Sequence, residues 1–396
     1  MQKLKIIVGG LIGLYPSGGA TWDYIQYPLG LKLLGHDVYY IEDTRQYPVF
    51  QKEKDAWNDA TACINNLKNI MEDFGFKDHW AYKDIASGKS FGMTEEKILL
   101  LCSTADVFIN ISCSTFMREE YLKIPKRILI DSDPMFTQMQ YGIELSGHDS
   151  AKKWTTKIML ENHNFLFSFG ENIGSPDCKI PLFDFKWNTS RQPVCLDYWN
   201  NNQLVKNGSF TSIMNWSGRK KLIYNNEKWG QKDSEFNKIK DIPLKVTGRN
   251  FEVVINKPLN QDSNFDPVEL KNLGWVVLQP DQTVANTRDY QNFIYNSAAE
   301  FSVAKHTYVK SNSGWFSGRS ACYLAAGKPV ITQDTKWTKF IHTGEGLFAF
   351  TDMESAIEGI NRVYSNLVYH SKMAKEIANE YFESNKVLTT MLKNLN

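Results

Sequence analysis

Residues 308–350 read YVKSNSGWFSGRSACYLAAGKPVITQDTKWTKFIHTGEGLFAF, and the order of residue types predicts a turn, a helix and a short strand. Small and hydroxyl residues form the turn at 311–314, a helix with Arg319 covers 316–326, and a Gly-Lys-Pro break precedes a strand at 329–332. Free backbone N–H groups at a helix N-terminus beside an arginine form an anion site, which suits a diphosphate. The polar tip at 333–335 can bind sugar hydroxyls. An ordinary α/β unit with a capped helix would show the same pattern.

Length and composition predict a soluble protein of two domains. The chain has 396 residues, of which 42% are hydrophobic, and no apolar run approaches the ~18 residues of a membrane span. Residues 3–8 resemble a first strand and lack the features of a signal peptide. The six cysteines form no CxxC pair, so neither a zinc site nor a disulfide framework is indicated. We therefore expect a cytoplasmic location.

The overall charge argues against a strongly basic nucleic-acid-binding protein. The chain carries 45 Lys and Arg against 44 Asp and Glu, a formal net charge of +1. A net charge near zero is still compatible with a local basic groove.

The start of the chain predicts a βαβ unit. A strand at 4–8, a glycine-rich loop at 9–22, a helix at 21–34 and a strand at 38–41 follow one another. Loops after parallel strands lie where such folds bind ligands. This loop lacks GxGxxG, so a nicotinamide site is not indicated. Gly18, Gly19 and Trp22 are candidate acceptor contacts, and Asp23 either stabilises the helix start or activates the acceptor.

Further carboxylates follow later strands of the first half. Helices are predicted at 56–74 and 94–101 and strands at 107–111, 127–130 and 165–169. Asp131 and Asp133 follow the second of these strands, and Glu171 follows the third. A turn is the competing interpretation for Asp131-Ser132-Asp133-Pro134. The irregular, proline-containing residues 175–205 are typical of an interdomain connection.

The second half predicts another α/β domain. Strands are expected at 210–215, 253–255 and 274–278, and helices at 269–273, 289–299, 353–364 and 368–392. A basic loop at 216–221 follows the first strand. We expect domains at 1–190 and 205–365, with 366–396 packing back on the first.

Several motifs together resemble the GT-B glycosyltransferases, and more narrowly a group found in bacterial and phage genomes. The similarity spans nearly the whole chain, and the motif at 313–335 is its most specific part. The resemblance implies an α/β protein with two Rossmann-like domains facing across a cleft and a C-terminal helix crossing back. The motifs are GGATWDYIQYPLGLKLLGHDVYYIED (18–43), IDSDPMFTQ (130–138), FSFGENIG (167–174), SGWFSGRSACYLAAGKPVITQDT (313–335) and HTGEGLFAF (342–350).

The resemblance also implies a nucleoside-diphosphate sugar as donor, with a UDP-sugar favoured, and no metal. Asp131-Ser132-Asp133 matches the Asp-x-Asp metal motif of the other glycosyltransferase fold, which we interpret as coincidental because it lies in the acceptor half. The resemblance places Ser313, Gly314, Trp315, Arg319 and Ser320 near the phosphates, with Arg249 as a further basic residue and Lys220 and Lys221 behind it. It places Asp334, Thr335 and Glu345 near the donor sugar.

Two departures from related enzymes limit the mechanism. Retaining members have a glutamate where this chain has Cys322, and a second where it has the 313–314 turn. Some inverting members use a histidine in the first loop, and the 9–22 loop has none. If the enzyme inverts, the base is a carboxylate, and the candidates are Asp23, Asp131, Asp133 and Glu171.

The acceptor is the least constrained part of the prediction. A glycan, lipid or small-molecule hydroxyl is favoured, and a hydroxymethylated base in phage DNA is the alternative, which would require base flipping and a basic rim. A nucleotide-sugar epimerase of GT-B fold and a non-catalytic sugar-nucleotide-binding module also remain open. The oligomeric state is not indicated.

Overall fold

The computed structural model describes residues 2–48, 58–147, 156–200, 204–218, 221–256 and 264–395. Its first half contains the strands β1 Lys5–Gly9, β2 Asp37–Glu42, β3 Trp80–Lys83, β4 Ser90–Gly92, β5 Val107–Ile111, β6 Lys126–Asp131, β7 Phe165–Ser168 and β8 Trp187–Thr189. Its helices are α1 Gly18–Leu33, α2 Thr61–Asp73, α3 Glu95–Thr104, α4 Glu119–Leu122, α5 Phe136–Leu145 and α6 Thr156–Glu161, with a 3₁₀ helix at Leu196–Trp199.

The second half contains the strands β9 Phe210–Asn215, β10 Leu222–Tyr224, β11 Glu227–Trp229, β12 Phe251–Asn256, β13 Trp275–Leu278, β14 Ala299–Ser302, β15 Val330–Gln333 and β16 Leu347–Phe350. Its helices are α7 Lys232–Phe236, α8 Ile242–Lys245, α9 Pro267–Asn272, α10 Pro280–Thr283, α11 Thr287–Tyr295, α12 His306–Lys310, α13 Gly318–Ala325, α14 Met353–Ser365, α15 Leu367–Tyr381 and α16 Ser384–Lys393, with a 3₁₀ helix at Trp337–Lys339.

The first half forms an eight-stranded sheet in the order β4-β3-β2-β1-β5-β6-β7-β8. Every pairing is parallel except that of β3 with β4. The central strands are almost wholly apolar and buried, as expected when helices cover both faces of a parallel sheet. The strand order reverses between β1 and β5, and ligands of such sheets bind at that point, beyond the carboxyl ends of the strands.

The second half repeats this design in a six-stranded, fully parallel sheet. Its order is β13-β12-β9-β14-β15-β16, so the reversal lies between β9 and β14. An antiparallel hairpin, β10–β11, stands apart from the sheet. Two Rossmann-like domains, as predicted, are therefore present.

Of the last two helices, α16 returns to the first domain and packs on α1, whereas α15 packs on α13 of the second domain. A Cβ atom on Gly30 of α1 would lie 2.5 Å from the Leu388 Cδ1 of α16, so the two helices approach at a glycine. The predicted single helix at 368–392 is instead two helices. The first ends at Tyr381, and Glu383 caps the second by accepting hydrogen bonds from the N–H groups of Asn385 and Lys386. The helix that returns to the first domain is as expected, and the exact domain limits stay a prediction.

Other helices also differ from their predicted limits, among them α1, which begins at Gly18 rather than at residue 21, and α3, which ends at Thr104 rather than at residue 101. The helix predicted at 289–299 ends at Tyr295, because Ala299 already begins β14. The helix predicted at 56–74 is seen from Thr61, and residues 56 and 57 lie outside the described residues. Within the described part of the chain, no helix is long and apolar enough to cross a bilayer. The same residues contain no group of three His, Cys, Asp or Glu side chains placed to hold a metal ion.

Candidate active site

The turn before α13 is fixed between the two domains. Gly314 has φ +74°, and its N–H donates to the Thr335 carbonyl over 2.7 Å. A Cβ atom there would lie 2.4 Å from the backbone nitrogen of Asn172, so only glycine fits. The buried Ser313 hydroxyl donates to the Tyr308 carbonyl and accepts from the Trp315 N–H. This turn delivers the N-terminus of α13 to the domain junction.

Arg319, in the first turn of α13, has hydrogen-bonding capacity to spare. Its Nε donates to the Glu300 carboxylate of β14 over 2.6 Å, and its Nη1 donates to the Ile213 carbonyl of β9. Its Nη2, the second Glu300 oxygen and the Ser320 hydroxyl are buried and have no hydrogen-bond partner among the described residues. Such groups are rare in proteins and suit a site that a polar ligand completes.

Lys232, which opens α7, was not predicted. It is only 7% exposed, and its ammonium group makes no hydrogen bond or ion pair within the described ranges. Burial, then the nearby charge of Arg319, lowers its pKa well below the usual value, while Glu300 acts in the opposite direction and Lys305 adds to the lowering. No local sequence pattern marks this lysine, because only the fold brings β9, β14, α7 and α13 together.

Asp23 of α1 faces this group of cations from the first domain. A Cβ atom on Gly318, the first residue of α13, would lie 3.3 Å from the Asp23 Oδ1. Asp23 is exposed to solvent, yet protein atoms are dense around its carboxylate. This surrounding protein raises its pKa to about 7, Arg319 opposes the rise and Asp133 adds to it. No hydrogen bond to the carboxylate is found among the described residues.

The other three candidate carboxylates are bonded to protein groups. The buried Asp131 accepts hydrogen bonds from Thr137, Gln138 and Ser168. Burial is the main cause that raises its pKa. Asp133 pairs with Lys305 and accepts from the Tyr308 hydroxyl. Glu171 forms a two-point ion pair with Arg191. Asp131, Asp133 and Glu171 lie at or just past strand ends, whereas Asp23 lies in the second turn of α1 rather than at the predicted helix start, because α1 already begins at Gly18.

The residues predicted to bind the donor sugar lie just beyond α13. Asp334 follows β15 and accepts from the Lys336 N–H over 2.8 Å and from the Thr338 hydroxyl over 3.1 Å. The Thr335 hydroxyl donates to the Trp315 carbonyl over 2.7 Å, and the Trp315 indole donates to the Ser132 carbonyl of the first domain over 3.1 Å. Glu345 accepts a hydrogen bond from the Tyr369 hydroxyl over 2.6 Å.

Some predicted residues lie elsewhere. Arg249 precedes β12, at the amino ends of the strands and opposite the cleft edge, and its guanidinium stacks on Tyr364. Lys221 pairs with Asp233, while Lys220 lies outside the described residues. The structure therefore does not bring Arg249 to α13.

The predicted acceptor residues form a contact between the domains. A Cβ atom on Gly18 would lie 2.2 Å from the Asn286 carbonyl oxygen, and Gly19 lies against Tyr290. Trp22 is 2% exposed, and its indole donates to the Thr287 carbonyl. These residues hold the N-terminus of α1 against α11.

Comparison with known proteins gives structural matches alone. A scan of protein-family models and a search of curated proteins give no match. An alpha-glucosyltransferase solved with UDP and a 13-mer DNA containing a HMU base matches with a TM-score of 0.54 at 13% identity, over 99% of each chain. Anabaena Alr3699/HepE in complex with UDP and glucose matches with a TM-score of 0.55 at 9% identity, again over 99% of each chain.

A glycosyltransferase from Rickettsia africae matches with a TM-score of 0.53 at 14% identity, over 100% of this chain and 98% of that one. These neighbours are GT-B proteins. The chain has the GT-B fold. The predicted fold class is thus confirmed. At these identities the similarity establishes the fold, and the chemistry has to be argued from the side chains.

Proposed function

We propose that this protein is a glycosyltransferase that moves a sugar from a nucleoside-diphosphate sugar, with a UDP-sugar favoured, to an acceptor hydroxyl. One observation carries the proposal: Arg319 at the start of α13 has a buried donor without a partner, the buried Lys232 of α7 lies near it, and the solvent-accessible Asp23 carboxylate faces Arg319. An anion would accept hydrogen bonds from the Lys232 ammonium and the Arg319 Nη2, and a diphosphate suits the nearby N-terminus of α13. UDP is bound in two of the similar structures.

The cations also suit the chemistry of the leaving group. When the sugar–phosphate bond breaks, negative charge develops on the departing diphosphate. Lys232, Arg319 and the N–H groups of α13 stabilise that charge, and because the site is buried each contact is stronger than it would be in water. We infer that the transfer is metal-independent. Activity that survives an excess of EDTA supports this inference, and activity restored only by Mg²⁺ or Mn²⁺ contradicts it.

Asp23 is the proposed base. Its pKa of about 7 places proton transfer near neutral pH, where a general base works best. Its carboxylate has lone pairs available to an acceptor hydroxyl, whereas the other three candidates are bonded to protein groups. Glycan, lipid or small-molecule hydroxyls are the favoured acceptors.

The test is a thermal-shift screen against UDP-, GDP-, dTDP- and CMP-sugars. We expect a UDP-sugar to raise the melting temperature of the wild type and to raise that of Arg319→Ala much less. Arg249→Ala is the matched control, because Arg249 lies at the opposite edge of the sheet, and it should respond like the wild type. If no nucleotide sugar stabilises the wild type, the proposal fails.

A DNA acceptor is the second candidate, supported by the DNA-bound structure that matches over 99% of the chain. Incubation with a UDP-sugar and a duplex containing a hydroxymethylated pyrimidine, followed by mass spectrometry of the nucleosides, separates the two acceptor classes. Detection of the sugar on the base supports a DNA acceptor. Detection of the sugar on a supplied glycan alone supports the glycan, lipid or small-molecule acceptor. A new epimer formed from the nucleotide sugar without any acceptor would instead indicate an epimerase.

A further inference from the structure

We propose that Asn172 of the first domain is a positioning residue for the donor, because it holds the turn at 311–314 that leads into α13. The inference rests on the proposed function. Asn172 lies in the loop between β7 and β8, which are both strands of the first sheet, and it is wholly buried. It binds the turn of the second domain through its backbone and through its side chain. Donor affinity should therefore depend on a residue of the first domain.

Hydrogen bonds join this loop directly to the turn. The Asn172 N–H donates to the Ser313 carbonyl over 3.1 Å, and the Asn172 side-chain amide donates to the Asn312 carbonyl over 2.8 Å. In the reverse direction, the Asn312 side-chain amide donates to the Asp177 carbonyl of the loop over 2.9 Å. Two successive carbonyl groups of the turn are thus bonded by the same buried asparagine.

The two backbones approach closely because each has a glycine at the contact. A Cβ atom on Gly314 would lie 2.4 Å from the Asn172 backbone nitrogen, and one on Gly170 would lie 3.1 Å from the Ser313 carbonyl oxygen. Gly170 also pairs with Trp315 in an antiparallel bridge. The junction therefore consists of backbone groups in direct contact, and a shift of the loop would shift the turn.

The turn has a backbone conformation that needs such support. Asn312 has φ +50° and Gly314 has φ +74°, and residues with a side chain rarely adopt this left-handed region. Such a conformation persists where the surrounding structure enforces it. On its other side the turn is bonded to the end of β15, because the Gly314 N–H donates to the Thr335 carbonyl over 2.7 Å. Without the Asn172 side chain, we expect the turn to spend much of its time in other conformations, with the start of α13 displaced.

The experiment measures UDP binding to the full chain carrying Asn172→Ala by calorimetric titration. The temperature is one at which circular dichroism shows the variant to be folded. A protein whose binding-competent form is present for one-tenth of the time binds its ligand about tenfold more weakly, so we expect the Kd for UDP to rise by about that factor.

Asn110→Ala is the matched control. Asn110 is also wholly buried, and its side-chain amide also donates to a loop carbonyl, that of Thr115, over 3.0 Å, but both of these residues belong to the first domain. Both variants should have a lower melting temperature, and only Asn172→Ala should bind UDP more weakly. If Asn172 has a merely structural role, its loss will lower the melting temperature and leave the Kd unchanged, and the inference is then overturned.

Asn312→Gly keeps the test decisive if Asn172→Ala does not fold. Glycine adopts φ +50° readily, so this substitution removes the side-chain bond from the turn to the Asp177 carbonyl without straining the backbone. A Kd raised roughly threefold or more supports the inference, and an unchanged Kd overturns it. A wild type that binds no nucleotide overturns the proposed function. A wild type that binds UDP, with variants that bind it equally tightly, overturns this inference alone.

Discussion

Replacing Lys232 by methionine should stabilise the ligand-free protein and weaken nucleotide binding. The lysine is 7% exposed and no carboxylate pairs with it among the described residues. A buried polar group without a partner costs about 1–3 kcal/mol, and a charged one costs more. Methionine has a similar length and no charge, so the free energy of unfolding should rise by about 1–3 kcal/mol. For a domain of this size, that is roughly 2–4 °C of melting temperature per kcal/mol.

The affinity for UDP should change in the opposite direction. A hydrogen bond to a charged group contributes about 1.5–3 kcal/mol, so its loss should weaken binding roughly 10- to 150-fold. At a UDP concentration of about 100 times the wild-type Kd, the wild type gains about 2.7 kcal/mol of stability. A variant that binds about 100-fold more weakly gains only about 0.4 kcal/mol under the same conditions.

The pH dependence gives a further check. Burial lowers the Lys232 pKa, so between the native and the unfolded pKa values the unfolded chain binds more protons. Stability of the wild type should therefore rise with pH across that window, and the variant should lack this rise.

The assays are thermal unfolding with and without UDP, and calorimetric titration with UDP. Lys328→Met is the matched control, because Lys328 is another buried lysine, 2% exposed, but lies just past the opposite end of α13. It should leave UDP affinity unchanged. If Lys232→Met binds UDP as tightly as the wild type does, the assignment of Lys232 to the diphosphate is refuted.

Three other substitutions test the remaining charges. Glu300→Gln leaves Arg319 buried without its ion-pair partner, so the ligand-free melting temperature should fall while UDP restores more stability than in the wild type, as thermal unfolding would reveal. Asp23→Asn should reduce the transfer rate about 100-fold or more with UDP affinity unchanged, and wild-type kcat/KM should rise with pH to a plateau above about pH 7. Burial raises the Glu42 pKa from 4.5 to about 7, so the native state binds more protons in that window and wild-type stability should fall as pH rises through it; Glu42→Gln should reduce this fall in melts from pH 4 to 8, and the part that remains is due mainly to Asp23.

The fold could be predicted largely from sequence because both sheets rest on apolar strands separated by glycine-rich turns. β14 was missed, since it is short and carries Glu300, a residue type disfavoured in strands. The two helices α15 and α16 were predicted as a single helix, because the apolar periodicity of the sequence continues across the break between them. The break places Phe382 against Phe316, with ring centres 5.1 Å apart, and lets Val194 pair with Glu383. Both contacts involve residues far away in the sequence, so a local pattern cannot predict the break between the two helices.

The residues of the candidate site also fall into two groups: those that a local sequence pattern identifies and those that only the fold brings together. Arg319 could be found because a helix N-terminus with an arginine is a local pattern. Lys232 could not, because its meaning depends on four elements that the fold gathers. Gly18 and Gly19 were predicted to contact the acceptor, whereas in the structure Asn286 and Tyr290 of the same chain lie against them. Sequence indicates that a close contact exists and does not identify its partner.

A substitution at Asp131 tests which of the four carboxylates is the base. Lone pairs that already accept hydrogen bonds from protein donors cannot take a proton from the acceptor without losing those bonds. Its Oδ1 accepts from Thr137 over 2.6 Å, and its Oδ2 accepts from Gln138 over 3.0 Å and Ser168 over 3.2 Å. Asp131→Asn replaces one acceptor oxygen by an NH₂ group, which leaves at least one buried donor unbonded at about 1–3 kcal/mol. We therefore expect a lower melting temperature, while the activity of the folded fraction keeps the wild-type pH profile. A stable Asp131→Asn protein whose transfer rate falls 100-fold would instead transfer the role of base from Asp23 to Asp131.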